Sequence, residues 1–152
     1  MPLPSNIKNE LNNLAKNLAQ KLAPKLTKPK KVKENLNSMR EKVDKLFEDF
    51  DNNDNGSDTI TRNNSMASSV IVRALSLVAQ EEKSKKKLKA AVQAIYRHKD
   101  LQYCEGALEA IKNRGQKTKY GEDRKDLDQI SALKEVLTQI ENEPSSDAWK
   151  NF

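Results

Sequence analysis

The segment SSVIVRALSLVAQ, residues 68–80, constrains the fold most, because a helix of this sequence is apolar on nearly every side. Such a helix is stable only when other elements surround it, so the segment predicts a central, buried helix. The run from Val70 to Val72 would also suit a strand, which is the second interpretation. Arg73, the one charge in the segment, is expected to reach the surface along its apolar stem.

Other parts of the chain carry apolar residues at steps of three and four, the spacing of one helix face. The first stripe runs from Ile7 to Leu22 and, with Ser5 as cap, predicts a helix over residues 5–23. The other stripes run from Leu36 to Phe50, Leu88 to Ile95, Leu101 to Ile111 and Leu127 to Ile140. Because the stripe at Leu88 either continues the central helix or forms its own, we expect an all-α bundle of five or six helices in a single domain.

Prolines and polar stretches divide the chain. The polar residues 51–64 predict a loop. We expect an amphipathic helix in residues 1–24, the helical bundle in 25–143 and a flexible tail in 144–152. The first helix either docks on the bundle or swings free on Pro24 and Pro29 to contact a membrane surface. Its stripe of four leucines lacks an aromatic anchor, which favours docking.

Few chemical functions fit this composition. The apolar runs are too short to span a bilayer, and polar residues interrupt the N-terminal segment where a secretory signal would be continuous, so we expect a cytoplasmic protein. His98 and Cys104 would lie about 120° apart on a helix and face different directions. We expect Cys104 in the core, and His98 either solvated or stabilising the helix terminus at which it lies. We predict no catalytic site, no enzyme activity and no cofactor.

Lysine clusters account for the net charge of +6. The candidate basic patches are Lys28, Lys30, Lys31 and Lys33, and Lys85, Lys86, Lys87 and Lys89; a third cluster spans residues 112–119. On one shared face they would attract nucleic acid or other anions. Lysine outnumbers arginine 22 to 6 and only seven residues are aromatic, a mixture that favours nonspecific attraction.

The segment KSKKKLKAAVQAIYRHK, residues 83–99, has the pattern of a basic amphipathic helix. Leu88, Val92 and Ile95 share one face, which would suit the groove of a protein partner. The same three side chains could instead face the core of the bundle, and we favour that interpretation.

The stretch FEDFDNNDNGSDTITR, residues 47–62, resembles the first half of an EF-hand calcium loop. The residues that match loop positions one, three, five and six are Asp51, Asn53, Asn55 and Gly56. The resemblance implies a calcium site, but the twelfth position holds Arg62 where a bidentate glutamate would complete the coordination. We therefore expect an acidic connector, with Asp51, Asn53 and Asn55 as degenerate calcium candidates and no functional metal site.

The tail IENEPSSDAWKNF, residues 140–152, resembles the C-terminal export signals of type IV secretion effectors of the Dot/Icm kind. The features shared are glutamates (Glu141, Glu143), small polar residues (Ser145, Ser146) and a bulky apolar residue near the end (Phe152). The resemblance implies export into a host cell, with Trp149 and Phe152 contacting a partner. The structural alternative is that Trp149 folds back and caps the core.

Taken together, these patterns predict a non-enzymatic helical module that binds another protein. The alternative is a basic protein that binds nucleic acid. The two differ in surface: the first should present a groove, and the second should bring the lysine clusters onto one face. A small-molecule ligand is not expected.

Overall fold

The computed structural model describes residues 3–22, 29–48, 56–81, 85–113 and 127–143. These ranges hold six helices and no strand: α1 (Ser5–Leu22), α2 (Pro29–Leu46), α3 (Gly56–Glu81), α4 (Lys85–Arg97), α5 (Gln102–Asn113) and α6 (Leu127–Asn142). The prediction of an all-α bundle is confirmed. No helix in the described part of the chain has both the length and the hydropathy that crossing a bilayer requires.

Helix α3 lies at the centre and contacts all five other helices. Its buried apolar side chains are Ala67, Val70, Ile71, Val72, Ala74, Leu75 and Val78. The segment from Val70 to Val72 is therefore helical, and the interpretation as a strand is wrong. Arg73 is exposed, as expected for a long side chain that carries its charge to the surface.

Helix α1 packs on α2, α3 and α4 through a buried stripe that includes Ile7, Leu18 and Leu22. These side chains belong to the same hydrophobic core as the rest of the bundle, so the expected boundary near residue 24 does not separate two cores. The bundle covers much of the apolar face of α1, on which Leu11 and Leu14 are half-buried.

Two helices begin earlier than the sequence predicts. Helix α2 begins at Pro29, before the first residue of its predicted stripe at Leu36, because proline is well accommodated at the first helical position, where no backbone N–H partner is needed. Helix α3 begins at Gly56, so the predicted loop over residues 51–64 is wrong from residue 56 onward. Polar composition favoured a loop there, but Asn63 and Asn64 form hydrogen bonds to α2 and α5.

Helix α6 closes the bundle against α3, α4 and α5. Its buried side chains are Ile130, Leu133, Val136, Leu137 and Ile140, the stripe that the sequence predicts.

Candidate functional site

Helices α3 and α5 approach closely at a serine and a glycine. A Cβ atom built on Gly106 would lie 2.5 Å from Ser68 Oγ, which is closer than real side chains permit. Ser68 Oγ lies 2.8 Å from the carbonyl oxygen of Tyr103 on α5 and 3.0 Å from that of Asn64 on its own helix, so its hydrogen is shared between two acceptors. The absence of a side chain at Gly106 is therefore what allows this interhelical hydrogen bond.

A cleft of about 330 Å³ lies along this contact. Its lining comes from α3 (Thr61, Asn64, Ser65, Ser68, Ser69, Val72) and from α5 (Gln102, Gly106, Ala110). Six of the nine lining residues carry a hydroxyl or amide group, and none of the nine has an ionisable side chain at neutral pH.

A directed chain of hydrogen bonds reaches the mouth of the cleft. Arg40 Nε on α2 donates to Asn64 Oδ1 at 2.9 Å, and Asn64 Nδ2 donates to Gln102 Oε1 at 2.8 Å. Because a guanidinium can only donate, the oxygen of the Asn64 amide must face Arg40 and its nitrogen must face Gln102. Gln102 Oε1 therefore faces Asn64, and Gln102 Nε2 donates to no described residue.

A second set of contacts joins the N-terminal part of α3 to α2. Asp44 on α2 accepts from Arg40 Nη1 and, at 2.7 Å, from the buried Asn63 Nδ2. The Oδ1 of Asn63 accepts from Arg62 at 3.1 Å (Nε) and 2.9 Å (Nη2), and the Arg62 guanidinium lies 4.7 Å from the centre of the Phe47 ring. These contacts attach the N-terminal part of α3 to α2.

The buried face of α5 carries two groups that stay protonated at neutral pH. Tyr103 donates its hydroxyl to Asn37 Oδ1 at 2.8 Å, and burial raises its pKa to about 12. Cys104 is fully buried, and burial raises the pKa of its thiol to about 12, with a smaller contribution from Asp100. Cys104 is thus a core residue, as predicted, and has little thiolate to act as a nucleophile.

The face of α4 proposed for a partner is covered. Leu88, Val92 and Ile95 are all buried in the hydrophobic core, so the core interpretation is confirmed and these side chains are not accessible to a partner in this fold. His98, expected to be solvated or to stabilise a helix terminus, lies directly after α4 and is buried, with 9% of its surface exposed. The solvated interpretation is wrong, because α4 and α5 pack against each other on either side of the short connection that contains His98.

The candidate basic patches lie mostly on the surface. Lys30, Lys31 and Lys33 on α2 are exposed, as are Lys85, Lys86 and Lys87 on α4. Lys28 lies outside the described residues. Lys89 is partly buried and pairs with Glu143.

Two glutamates of α6 and Glu143 directly after it pair with lysines from two of the three clusters. Besides Lys89 with Glu143, the pairs are Lys112 with Glu141 at 3.0 Å and the more exposed Lys85 with Glu135 at 3.5 Å. The hydrogen bond that Lys112 donates to Glu141 raises the pKa of Lys112. Part of the positive charge that the sequence concentrates in these clusters is therefore balanced within the bundle.

The remaining predicted site residues lie outside the described part of the chain: Asp51, Asn53, Asn55, Trp149 and Phe152. Within the described ranges, no group of three or more histidine, cysteine, aspartate or glutamate side chains could hold a metal ion.

The cleft between α3 and α5 could not be predicted from the sequence. Thr61, Ser65 and Ser69 recur every four residues on α3, and Gly106 and Ala110 do so on α5, but small polar residues at this spacing also occur on solvated helix faces. No protein-family model matches the chain, and no curated protein or solved structure is similar to it.

Proposed function

We propose that this protein is a non-enzymatic helical module that binds another protein through the cleft between α3 and α5. The observation that carries this proposal is the chemistry of the lining, which offers oriented hydroxyl and amide groups and no ionisable group. Groups of this kind form neutral hydrogen bonds and fix the orientation of a partner, whereas proton transfer needs acids and bases.

The rigidity of the walls supports the same function. Contacts behind α3 and the close approach at Gly106 hold the lining in position, which reduces the ordering cost of association. At the start of α3, Ile60 is 56% exposed and is the one large apolar side chain that the described ranges leave at the surface. It precedes Thr61 of the lining, so a partner seated in the cleft can cover it.

The test compares two arginine substitutions at exposed helical serines. Ser69→Arg places a long charged side chain over the cleft, and Ser131→Arg makes the same change on α6, away from the lining. We expect wild type and Ser131→Arg to capture the same partner in quantitative affinity purification, with its amount falling at least about tenfold for Ser69→Arg. An equal capture by all three proteins of similar stability would rule out the cleft as the binding site.

The exposed lysines of α2 and α4 favour binding of nucleic acid as the second candidate function. Glu135, Glu141 and Glu143 pair with lysines of two of the three clusters. This pairing weighs against nucleic-acid binding, because it leaves less positive charge free to attract phosphates. Fluorescence anisotropy with duplex and single-stranded oligonucleotides decides between the two functions. Saturable binding at about 150 mM salt, lost when Lys30 and Lys31 are both changed to Glu, would support the alternative.

The tail resemblance adds the proposal that the protein is exported by a type IV secretion system into a host cell. A reporter fused to the full chain should be translocated, and deletion of residues 144–152 should abolish the signal while leaving the melting temperature nearly unchanged. Stability that falls sharply on truncation, with export retained, would instead favour Trp149 as a cap on the core.

A further inference from the structure

We infer that the cleft takes an extended, uncharged segment of a partner chain and that Nε2 of Gln102 donates a hydrogen bond to a backbone carbonyl of that segment. This inference rests on the proposed function, since it specifies what the same cleft binds.

The direction of the hydrogen-bond chain determines which group Gln102 offers. The Arg40 guanidinium carries only donors, so the Asn64 amide accepts from it through Oδ1 and donates through Nδ2 to Gln102 Oε1. With that oxygen engaged, Gln102 presents its two N–H groups to a ligand. The matching ligand atom is an acceptor.

The charges near Gln102 indicate that this acceptor is a neutral group and not an anion. Arg40, the cation at the start of this hydrogen-bond chain, is already paired with Asp44, and none of the lining residues is charged. Binding an isolated carboxylate or phosphate here would remove it from water without a free cation to compensate. A peptide carbonyl needs no such compensation and is the commonest neutral acceptor that a partner protein presents.

The spacing of the hydroxyl groups fits an extended chain. Thr61, Ser65 and Ser69 are one step of four residues apart, so their side chains recur about every 6 Å along α3. In an extended segment, backbone groups on one side recur about every 6.6 Å. Successive hydroxyls can therefore meet alternate residues of the bound segment.

The bonding state of the ligand carbonyl favours an extended segment over a helix. Carbonyl groups inside an α-helix already accept from the backbone N–H four residues further on, whereas an extended segment leaves its carbonyls free to accept from Gln102.

The experiment selects phage-displayed random decapeptides on the wild-type protein, with counter-selection on Ser69→Arg. Affinities of the enriched peptides are then measured on Gln102→Glu, which keeps an oxygen for Asn64 and replaces the outward donor with an acceptor. Gln139→Glu, at an exposed position of α6, makes the same change in charge away from the cleft. We expect a loss of about tenfold or more for Gln102→Glu and less than about twofold for Gln139→Glu.

Synthetic peptides identify the carbonyl. Replacing one peptide carbonyl at a time with a thiocarbonyl, a weaker acceptor that carries no charge, should reduce the difference in affinity between wild type and Gln102→Glu at a single position. Enrichment of anionic peptides, no enrichment at all, or equal affinity for Gln102→Glu would overturn the inference. The proposed function fails separately, when Ser69→Arg captures the protein partner as well as wild type does.

Discussion

Ser68 and Gly106 determine how closely the central helix α3 approaches α5. The Ser68 hydroxyl occupies the space where a Cβ of residue 106 would lie, 2.5 Å away, and it bonds to the Tyr103 carbonyl across the same contact. The hydrogen bond and the glycine are therefore interdependent, and the cleft beside them depends on both.

This relationship predicts that the effect of Gly106→Ala on stability changes sign with the residue at position 68. In the wild-type background, alanine forces the hydroxyl away from Tyr103, and we expect stability to fall by about 1 kcal/mol despite the better helix propensity of alanine. With Ser68→Ala already present, Gly106→Ala should instead stabilise by about 0.5 kcal/mol. Urea denaturation of the four proteins measures both effects. A loss of the same size in both backgrounds would show that the hydroxyl is not the obstacle.

The buried Asn63 bridges Asp44 on α2 and Arg62 on its own helix. Asn63→Ala removes both hydrogen bonds of a buried amide, while Asp44 keeps Arg40 and Arg62 keeps Phe47, so we expect a loss of about 1 kcal/mol in the free energy of unfolding. Ser65→Ala, at an exposed position two residues further along α3, serves as the control and should change it by less than about 0.5 kcal/mol. Equal effects of the two substitutions in urea denaturation would contradict the bridging role.

Helix α4 begins with three consecutive lysines and has no acidic residue in its first turn. Positive charge is unfavourable at a helix N-terminus, so Lys86→Glu should stabilise the protein by about 0.5 kcal/mol, and the gain should shrink at about 0.5 M salt. Lys16→Glu, in the middle of α1, changes the net charge equally and should have a smaller effect. A thermal melt at two salt concentrations tests this, and an equal gain from both variants would point to net charge alone.

The apolar spacing was sufficient to predict the elements but not the polar contacts between them. The stripes from Ile7 to Leu22 and from Leu127 to Ile140 predict α1 and α6, because burial of a helix face depends on residue type along one segment. The start of α3 was missed because Asn63 and Asn64 favour loops in isolation and become helical through partners on α2 and α5. The cleft was missed for a related reason, since Ser68 and Gly106 meet only when two distant segments pack together.

Alkaline pH should destabilise the fold through Tyr103 and Cys104. Burial raises the pKa of Tyr103 from 10.0 and that of Cys104 from 9.0, each to about 12. A group whose pKa is higher in the folded state stabilises the fold fully below its unfolded pKa, and this stabilisation is lost as the pH rises through the folded pKa. The free energy of unfolding should therefore be constant near neutrality and fall from about pH 9 toward about pH 12.

Urea denaturation at successive pH values, with Tyr103→Phe as the test variant, measures this dependence. The substitution removes the hydrogen bond to Asn37, so it should cost about 1 kcal/mol at neutral pH. It should also reduce the alkaline slope, because phenylalanine does not ionise and only Cys104 of the pair still contributes. Tyr96→Phe, at a half-buried tyrosine of α4, leaves Tyr103 and Cys104 in place and serves as the matched control for removal of a tyrosine hydroxyl. An unchanged slope in Tyr103→Phe would mean that this hydroxyl does not resist ionisation in the folded protein.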